Sequence, residues 1–159
     1  MKGLVTGLVK RYFPENKKKE STRLSEKYRK SGLTLEQAII IKERIEFAFQ
    51  EDKIYRQNDL GLVELSNYID FDRYKVSEVI NKYFSKNFYA LLNHYRIQEA
   101  KELLISRPFS SVKAVMYEVG FNSKNSFYNA FKKDTGLSPN DFRSMWAYED
   151  GVNSRLQFH

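Results

Sequence analysis

Residues 118–133 read EVGFNSKNSFYNAFKK, and their polar members can make hydrogen bonds and ion pairs wherever a scaffold holds them in register. Val119, Phe121, Phe127, Ala130 and Phe131 gather on one side of a helix expected to start near Asn122 and to end near Asp134, before Gly136. Ser123, Lys124, Asn125, Tyr128, Asn129 and Lys132 then point elsewhere, and that polar side faces either water or a nucleic acid. Other chemistries are poorly provided for. The chain has no cysteine, which excludes disulfides, Cys-based zinc sites and thiol catalysis. His94 and His159 are its only imidazoles, and neither sits in a ligand-spaced cluster, so no metal is expected. No glycine-rich phosphate loop and no Ser-His-Asp set is present, and the scattered carboxylates read as caps and solvated faces. The expectation is a non-enzyme with no catalytic residue and no cofactor.

The elements that position the polar patch are all helical. At 159 residues, with twelve Phe and a hydrophobic fraction of 42%, the chain has room for one core or two small linked ones. Thr34 and Gln37 make a capping-box pair, followed at helical spacing by Leu35, Ala38, Ile39, Lys42, Ile45 and Phe49 to about Asp52. This amphipathic helix packs on the domain behind it or serves as a dimer or partner face through residues 35–49. After the break YRQNDLG, Leu62 to Ile69 reads as a helix. Asp72 then caps a second one to about Phe84, with Val76, Val79, Ile80 and Phe84 inward. From about Phe88 to Ile105, the positions Phe88, Leu91, Leu92, Tyr95, Ala100, Leu103 and Leu104 give a long helix a wide apolar surface. Pro108 ends it, Ser111 caps a short helix to Glu118, and SPND places Ser138 at a cap, Pro139 at the first helical position and Asp141 at the third. No strict alternation competes with these periods near 3.6.

Two stretches repeat one design: LVELSNYI-DF-DRYKVSEVINKYF and SVKAVMYEV-GF-NSKNSFYNAFKK. Each has a short helix, a turn whose second residue is Phe, a polar cap and a second helix, and Val76, Val79 and Ile80 answer Phe127, Ala130 and Phe131. In a helix-turn-helix the second helix is held through one apolar face, which leaves its opposite face and N-terminal turn free for a major groove. Two units on one rigid helix can read two unlike half-sites, about 34 Å apart along DNA. The fold class expected is therefore all-α, two helix-turn-helix subdomains joined by a long linker helix and preceded by an extra amphipathic helix.

Net charge is +7, and residues 1–32, with ten Lys or Arg against three Glu, account for all of it. Residues 60–147 hold twelve basic and nine acidic groups, so bulk charge supports nucleic-acid binding only weakly there. The first 32 residues lack a sustained period and include FPENKKKE, which reads as a basic flexible tail. The run Gly3 to Val9 is too short for a membrane span, and a cytoplasmic chain is expected.

Over residues 57–147 the sequence resembles the AraC/XylS family of transcription regulators. YEVGFNSKNSFYNAFKKDTGLSPNDFR carries the family's most specific pattern, with Gly120 and Phe121, Phe131 to Lys133, and Gly136 to Arg143; HYRIQEAKELL is similar to its linker helix. The resemblance implies double-stranded promoter DNA as partner. By position it implies contacts from Arg73, Tyr74, Ser77 and Glu78 in the first unit and from Ser123, Lys124, Asn125 and Asn129 in the second, with Lys75, Ser126 and Lys132 beside the backbone. Asn suits adenine edges, Lys guanine acceptors, and Tyr the thymine methyl. Glu78 has two opposed readings, accepting from cytosine or being repelled by phosphates. Asp70 stands where the first turn often has Gly and can adopt a left-handed or turn geometry at some cost, while Asp72 replaces the commoner Ser cap. A DNA-binding regulator leads, with RNA polymerase as a further partner. An all-helical protein-interaction module with vestigial DNA binding is the alternative.

The resemblance also implies a sensor or membrane module ahead of Thr34. GLVTGLVKRYFPENKKK then reads as a juxtamembrane remnant with a basic flank, which would tether the regulator to the inner membrane. The other reading is a short chain whose tail holds DNA nonspecifically or does nothing. The expected organisation is tail 1–32, amphipathic helix 33–56, double helix-turn-helix 57–147 and C-terminal tail 148–159.

Overall fold

A computed structural model of the chain describes residues 32–156; the expectations for residues 1–31 and for His159 lie outside the described residues. Among the described residues are α1 (Leu35–Gln50), a 3-10 turn (Ile54–Arg56), α2 (Leu62–Tyr68), α3 (Arg73–Tyr83), α4 (Phe88–Ser106), α5 (Val112–Glu118), α6 (Lys124–Thr135) and α7 (Pro139–Leu156), and no strand. They form two units. The first takes residues 32–52 and 62–87, the second residues 53–61 and 88–156. The helix of the amphipathic segment ends at Gln50, and residues 53–61 fold with the second unit. The last helix likewise runs past residue 147 to Leu156.

In the first unit the Thr34 hydroxyl accepts from the Gln37 amide at 3.1 Å while the Gln37 side chain returns to the Thr34 amide at 3.5 Å. This reciprocal cap satisfies two of the donors that a helix start leaves unpaired. Ala38, Ile41, Ile45, Ala48 and Phe49 are buried, and α1 packs on α3, which buries Val76, Val79 and Ile80. The apolar face proposed for a dimer is thus consumed inside the unit, with Ile39 and Ile45 both buried. Asp72 caps α3 as expected, its carboxylate accepting from the amides of Tyr74 and Lys75 at 2.9 and 3.3 Å.

The second unit is built on aromatic contacts. Phe121, Phe127, Phe131 and Phe142 stand in sequence, with successive ring centroids 5.2, 5.7 and 5.4 Å apart and inclined or edge-on geometry. Such pairs add about 0.5–1.5 kcal/mol each to what their burial supplies. Ile97, Ala100, Leu103 and Leu104 of α4 and Val115 and Met116 of α5 complete the core. Ser138 accepts from the Asp141 amide at 3.1 Å, so the SPND start of α7 forms as its sequence requires.

The repeated DF and GF turns are the same backbone object. In the first, the amide of Phe71 donates to Ser66 and that of Asp70 to Asn67; in the second, Phe121 donates to Met116 and Gly120 to Tyr117. Each is a Schellman ending, which needs a left-handed residue just past the helix. Asp70 adopts φ 56° and Gly120 φ 96°. Space explains why only one of them must be glycine. A Cβ on Gly120 would lie 2.6 Å from the Tyr55 carbonyl oxygen and 2.8 Å from that of Arg56, whereas Asp70 is exposed.

Two substitutions separate these causes. Gly120→Ala should cost at least about 2 kcal/mol in urea unfolding, since positive φ and a backbone clash add. Asp70→Gly should be neutral to stabilising, by up to about 1 kcal/mol, because it relieves left-handed strain alone.

Candidate nucleic-acid interface

The presentation of α6 begins with its cap. Ser123, not Asn122, is the N-cap, its hydroxyl accepting from the Ser126 amide at 3.4 Å, so the helix starts one residue later than the sequence suggests. Phe127 and Phe131 are fully buried and anchor one face. Ser123, Lys124, Asn125, Ser126, Asn129 and Lys132 are all exposed. Tyr128 is the exception to the expected polar side. It is half-buried with its ring 5.9 Å from Phe127, and Lys124 lies over its outer face at 5.2 Å. At the far end Gly136, with φ 77°, closes the helix by donating to Lys132 at 2.8 Å.

The corresponding surface of α3 is more occupied. Arg73 and Tyr74 are exposed, the guanidinium donating to the Tyr74 hydroxyl at 2.7 Å and lying over its ring at 4.7 Å. Lys75 is half-buried and donates to the Gln37 side chain at 3.1 Å. Ser77 and Glu78 are half-buried too, and Glu78 pairs with Lys82 one turn on. That pairing offsets the negative charge of Glu78, which blunts the phosphate repulsion and leaves the carboxylate less free to accept from a base.

What fixes the α5–α6 turn in place is a strap, residues 53–57, held to α4 by two buried side chains that the sequence reading passed over. Arg96 donates to the carbonyls of Tyr55 and Gln57, both at 2.7 Å, and lies 5.3 Å from the Phe121 ring centre. Burial pulls its pKa down to about 10, so it stays charged at neutral pH. Glu99 accepts from Lys53 at 2.8 Å and from Arg56 Nε at 2.9 Å. Burial pushes the Glu99 carboxyl up, but its bonds to Arg56 and Lys53 outweigh that and hold it below the usual range. The same burial, with the Glu99 charge beside it, raises the Tyr55 phenol. The available signal was a pair of charges three apart on the apolar side of α4, flanking Ile97.

Against this geometry, residues 65–145 match a family model described as a helix-turn-helix domain, half of the chain. The chain belongs to the AraC-type family of helix-turn-helix DNA-binding transcription regulators. It is similar to the C-terminal domain of AraT, a response regulator from Geobacillus stearothermophilus, with TM-score 0.59 and 27% identity over 67% of this chain and 84% of that one. It is similar as well to the C-terminal domain of the two-component response regulator YesN from Fusobacterium nucleatum, at TM-score 0.57 and 27% identity over 64% and 96%. Among curated sequences it is 40% identical over 52 residues to an HTH-type transcriptional regulator in the cgkA 5′ region of Pseudoalteromonas carrageenovora, which is 33% of this chain and 30% of that protein. An HTH-type regulator of Staphylococcus aureus strain COL is 26% identical over 107 residues, 67% of this chain and 14% of its own length. The AraC-type chain thus spans less than a third of either curated relative. Among the described residues no helix is long and apolar enough to cross a membrane.

In this AraC-type protein the Glu99 cluster sets a pH dependence. A carboxyl held below its unfolded value of about 4.3 stabilises the fold above that pH and loses its contribution as pH falls through the folded value. Glu99→Gln should cost about 1–3 kcal/mol at pH 7, and the gap to the parent chain should narrow below about pH 4 in parallel urea titrations.

Proposed function

We propose that this regulator inserts α3 and α6 into successive major-groove segments of a promoter and reads two unlike half-sites. The observation that carries the reading is the division of α6: Phe127 and Phe131 are buried on one face, while Lys124, Asn125, Ser126, Asn129 and Lys132 are exposed from the first turn onward. Lys124, Asn125 and Asn129 face base edges, while Ser123, Ser126 and Lys132 lie beside phosphates, which the amides of the first turn also favour. In α3, Arg73 and Tyr74 contact bases, with Lys75, Ser77 and Glu78 in supporting positions. The second unit contributes most of the base readout because fewer of its polar groups are engaged within the fold. Contact with RNA polymerase and a sensor or membrane module ahead of Thr34 belong to the same proposal. The module ahead of Thr34 is supported by the short share of its curated relatives that this chain spans.

Lys124→Ala and Asn125→Ala are each expected to relax base preference at one or two positions of one half-site, by about 1–3 kcal/mol, in competition binding against single-base operator variants. Lys132→Ala should instead weaken all sequences alike and reduce the slope of log affinity against log salt by about 0.9. Equal weakening of every sequence by all three substitutions would show that α6 does not read bases.

A further inference from the structure

We propose that a second stripe of α1, built on Ile40, Glu43, Arg44 and Phe47, pairs antiparallel with the same stripe on a second copy of the chain. The inference goes beyond the DNA-binding reading and concerns the first unit alone.

The stripe is distinct from the face that α1 buries against α3. Ile40 and Phe47 stand two turns apart, roughly 10 Å along one side of the helix, with Glu43 and Arg44 between them. Phe47 is 59% exposed, and so is 53% of Tyr68 at the end of α2. With Asp52 and Ile69 these residues line a mostly apolar pocket of about 550 Å³ between α1 and the end of α2. Two bonds brace it. The Tyr68 hydroxyl donates to Asp52 at 2.6 Å, and Arg44 donates to the Ile69 carbonyl at 2.7 Å while its guanidinium lies over the Phe71 ring. The surface is therefore held in shape before anything meets it.

The order of the residues selects the occupant. From either end the stripe runs apolar, charged, charged, apolar, with opposite signs at its centre. Turned about a two-fold axis between positions 43 and 44, each copy sets Phe47 against the partner's Ile40 and Glu43 against the partner's Arg44. Every contact is then made twice. A parallel pair would instead set Glu43 against Glu43, and like charges disfavour it. Both charges are available for the pairing. Among the described residues no cation engages Glu43, and Arg44 uses one nitrogen on Ile69 and keeps donors on the others. Glu36 and Glu51 meet like to like at the two ends, but crossing helices diverge there and both residues are exposed to screening solvent. An interface centred on one helix is small, below about 1,200 Å², so the pairing is weak and depends on concentration.

The test uses the full chain without DNA, so its failure leaves the DNA-binding reading untouched. Sedimentation equilibrium over roughly 1 μM to 1 mM should show a reversible monomer–dimer step. Phe47→Glu and Glu43→Arg should each weaken it at least about tenfold with the urea midpoint unchanged, since neither side chain belongs to the core. Mixing Glu43→Arg chains with Arg44→Glu chains should restore the dimer, because opposite charges again face each other. Should Arg44→Glu unfold for want of its bond to Ile69, a mixture of Ile40→Cys and Phe47→Cys chains decides the register. The parent has no cysteine, and oxidation should join position 40 of one chain to position 47 of the other, whereas like positions lie beyond the reach of a disulfide. A monomer throughout that range, or a dimer that neither Phe47→Glu nor Glu43→Arg weakens, would overturn the proposal. So would folded charge-swap chains that fail to pair, or disulfides that mainly join like positions. A photoreactive label on the Phe47→Cys chain that captures residues 1–31 of its own chain would overturn it too, and assign the pocket to that segment.

Discussion

Gly120 approaches the carbonyl oxygens of Tyr55 and Arg56 so closely that no side-chain carbon fits between them. Much of the second unit follows from that approach. The glycine turns the chain from α5 into the segment leading to α6, the following Phe121 enters the core against Phe127, and Arg96 closes over both the strap and the Phe121 ring. The polar surface of α6 is thus oriented by backbone contact from a segment more than sixty residues earlier, and the side chains of α6 have only to divide into buried and exposed.

The two units meet the demands of nucleic-acid recognition differently. The second keeps its polar recognition residues outside its internal hydrogen bonds, apart from the Ser123 cap, and Lys124 rests on an aromatic ring. The first ties Lys75 to α1 and Glu78 to Lys82. Engaged side chains are pre-ordered, which lowers the entropy lost on binding, but each must exchange a partner before touching DNA. A repeat of one backbone design therefore carries two different distributions of free polar groups.

Element identity was legible in the sequence wherever caps and period agreed. Thr34 with Gln37, Asp72, Ser111 and the SPND start all cap as their residue types require, and the long α4 follows from the spacing of its apolar residues. The geometry of Asp70 was legible only as left-handed or some other turn, and the Schellman bonds of the folded chain select the left-handed one. Three features were not. The choice between Asn122 and Ser123 as cap turns on a single hydroxyl bond, since both residue types suit that position. Burial of Arg96 and Glu99 depends on a strap distant in sequence, and period alone assigns charged residues to solvent. The face of α1 was recognised as apolar, but whether a neighbour in the same chain covers it is a tertiary fact.

The strap also means that modules in sequence are not modules in space. Residues 53–61 belong to the second unit, yet in sequence the whole α2–α3 pair comes between them and α4. During synthesis the strap leaves the ribosome ahead of every helix it will bind, and it must wait for Arg96 and Glu99, 41 and 43 residues from their partners, before it can be clamped. The second unit is therefore closed by sequence-distant contacts, these clamps and the still more distant approach of Gly120, and loop closure of such lengths makes them late-forming ones. A fragment begun at the linker helix would retain the pattern by which the family is recognised and lose the part that holds its turn in place.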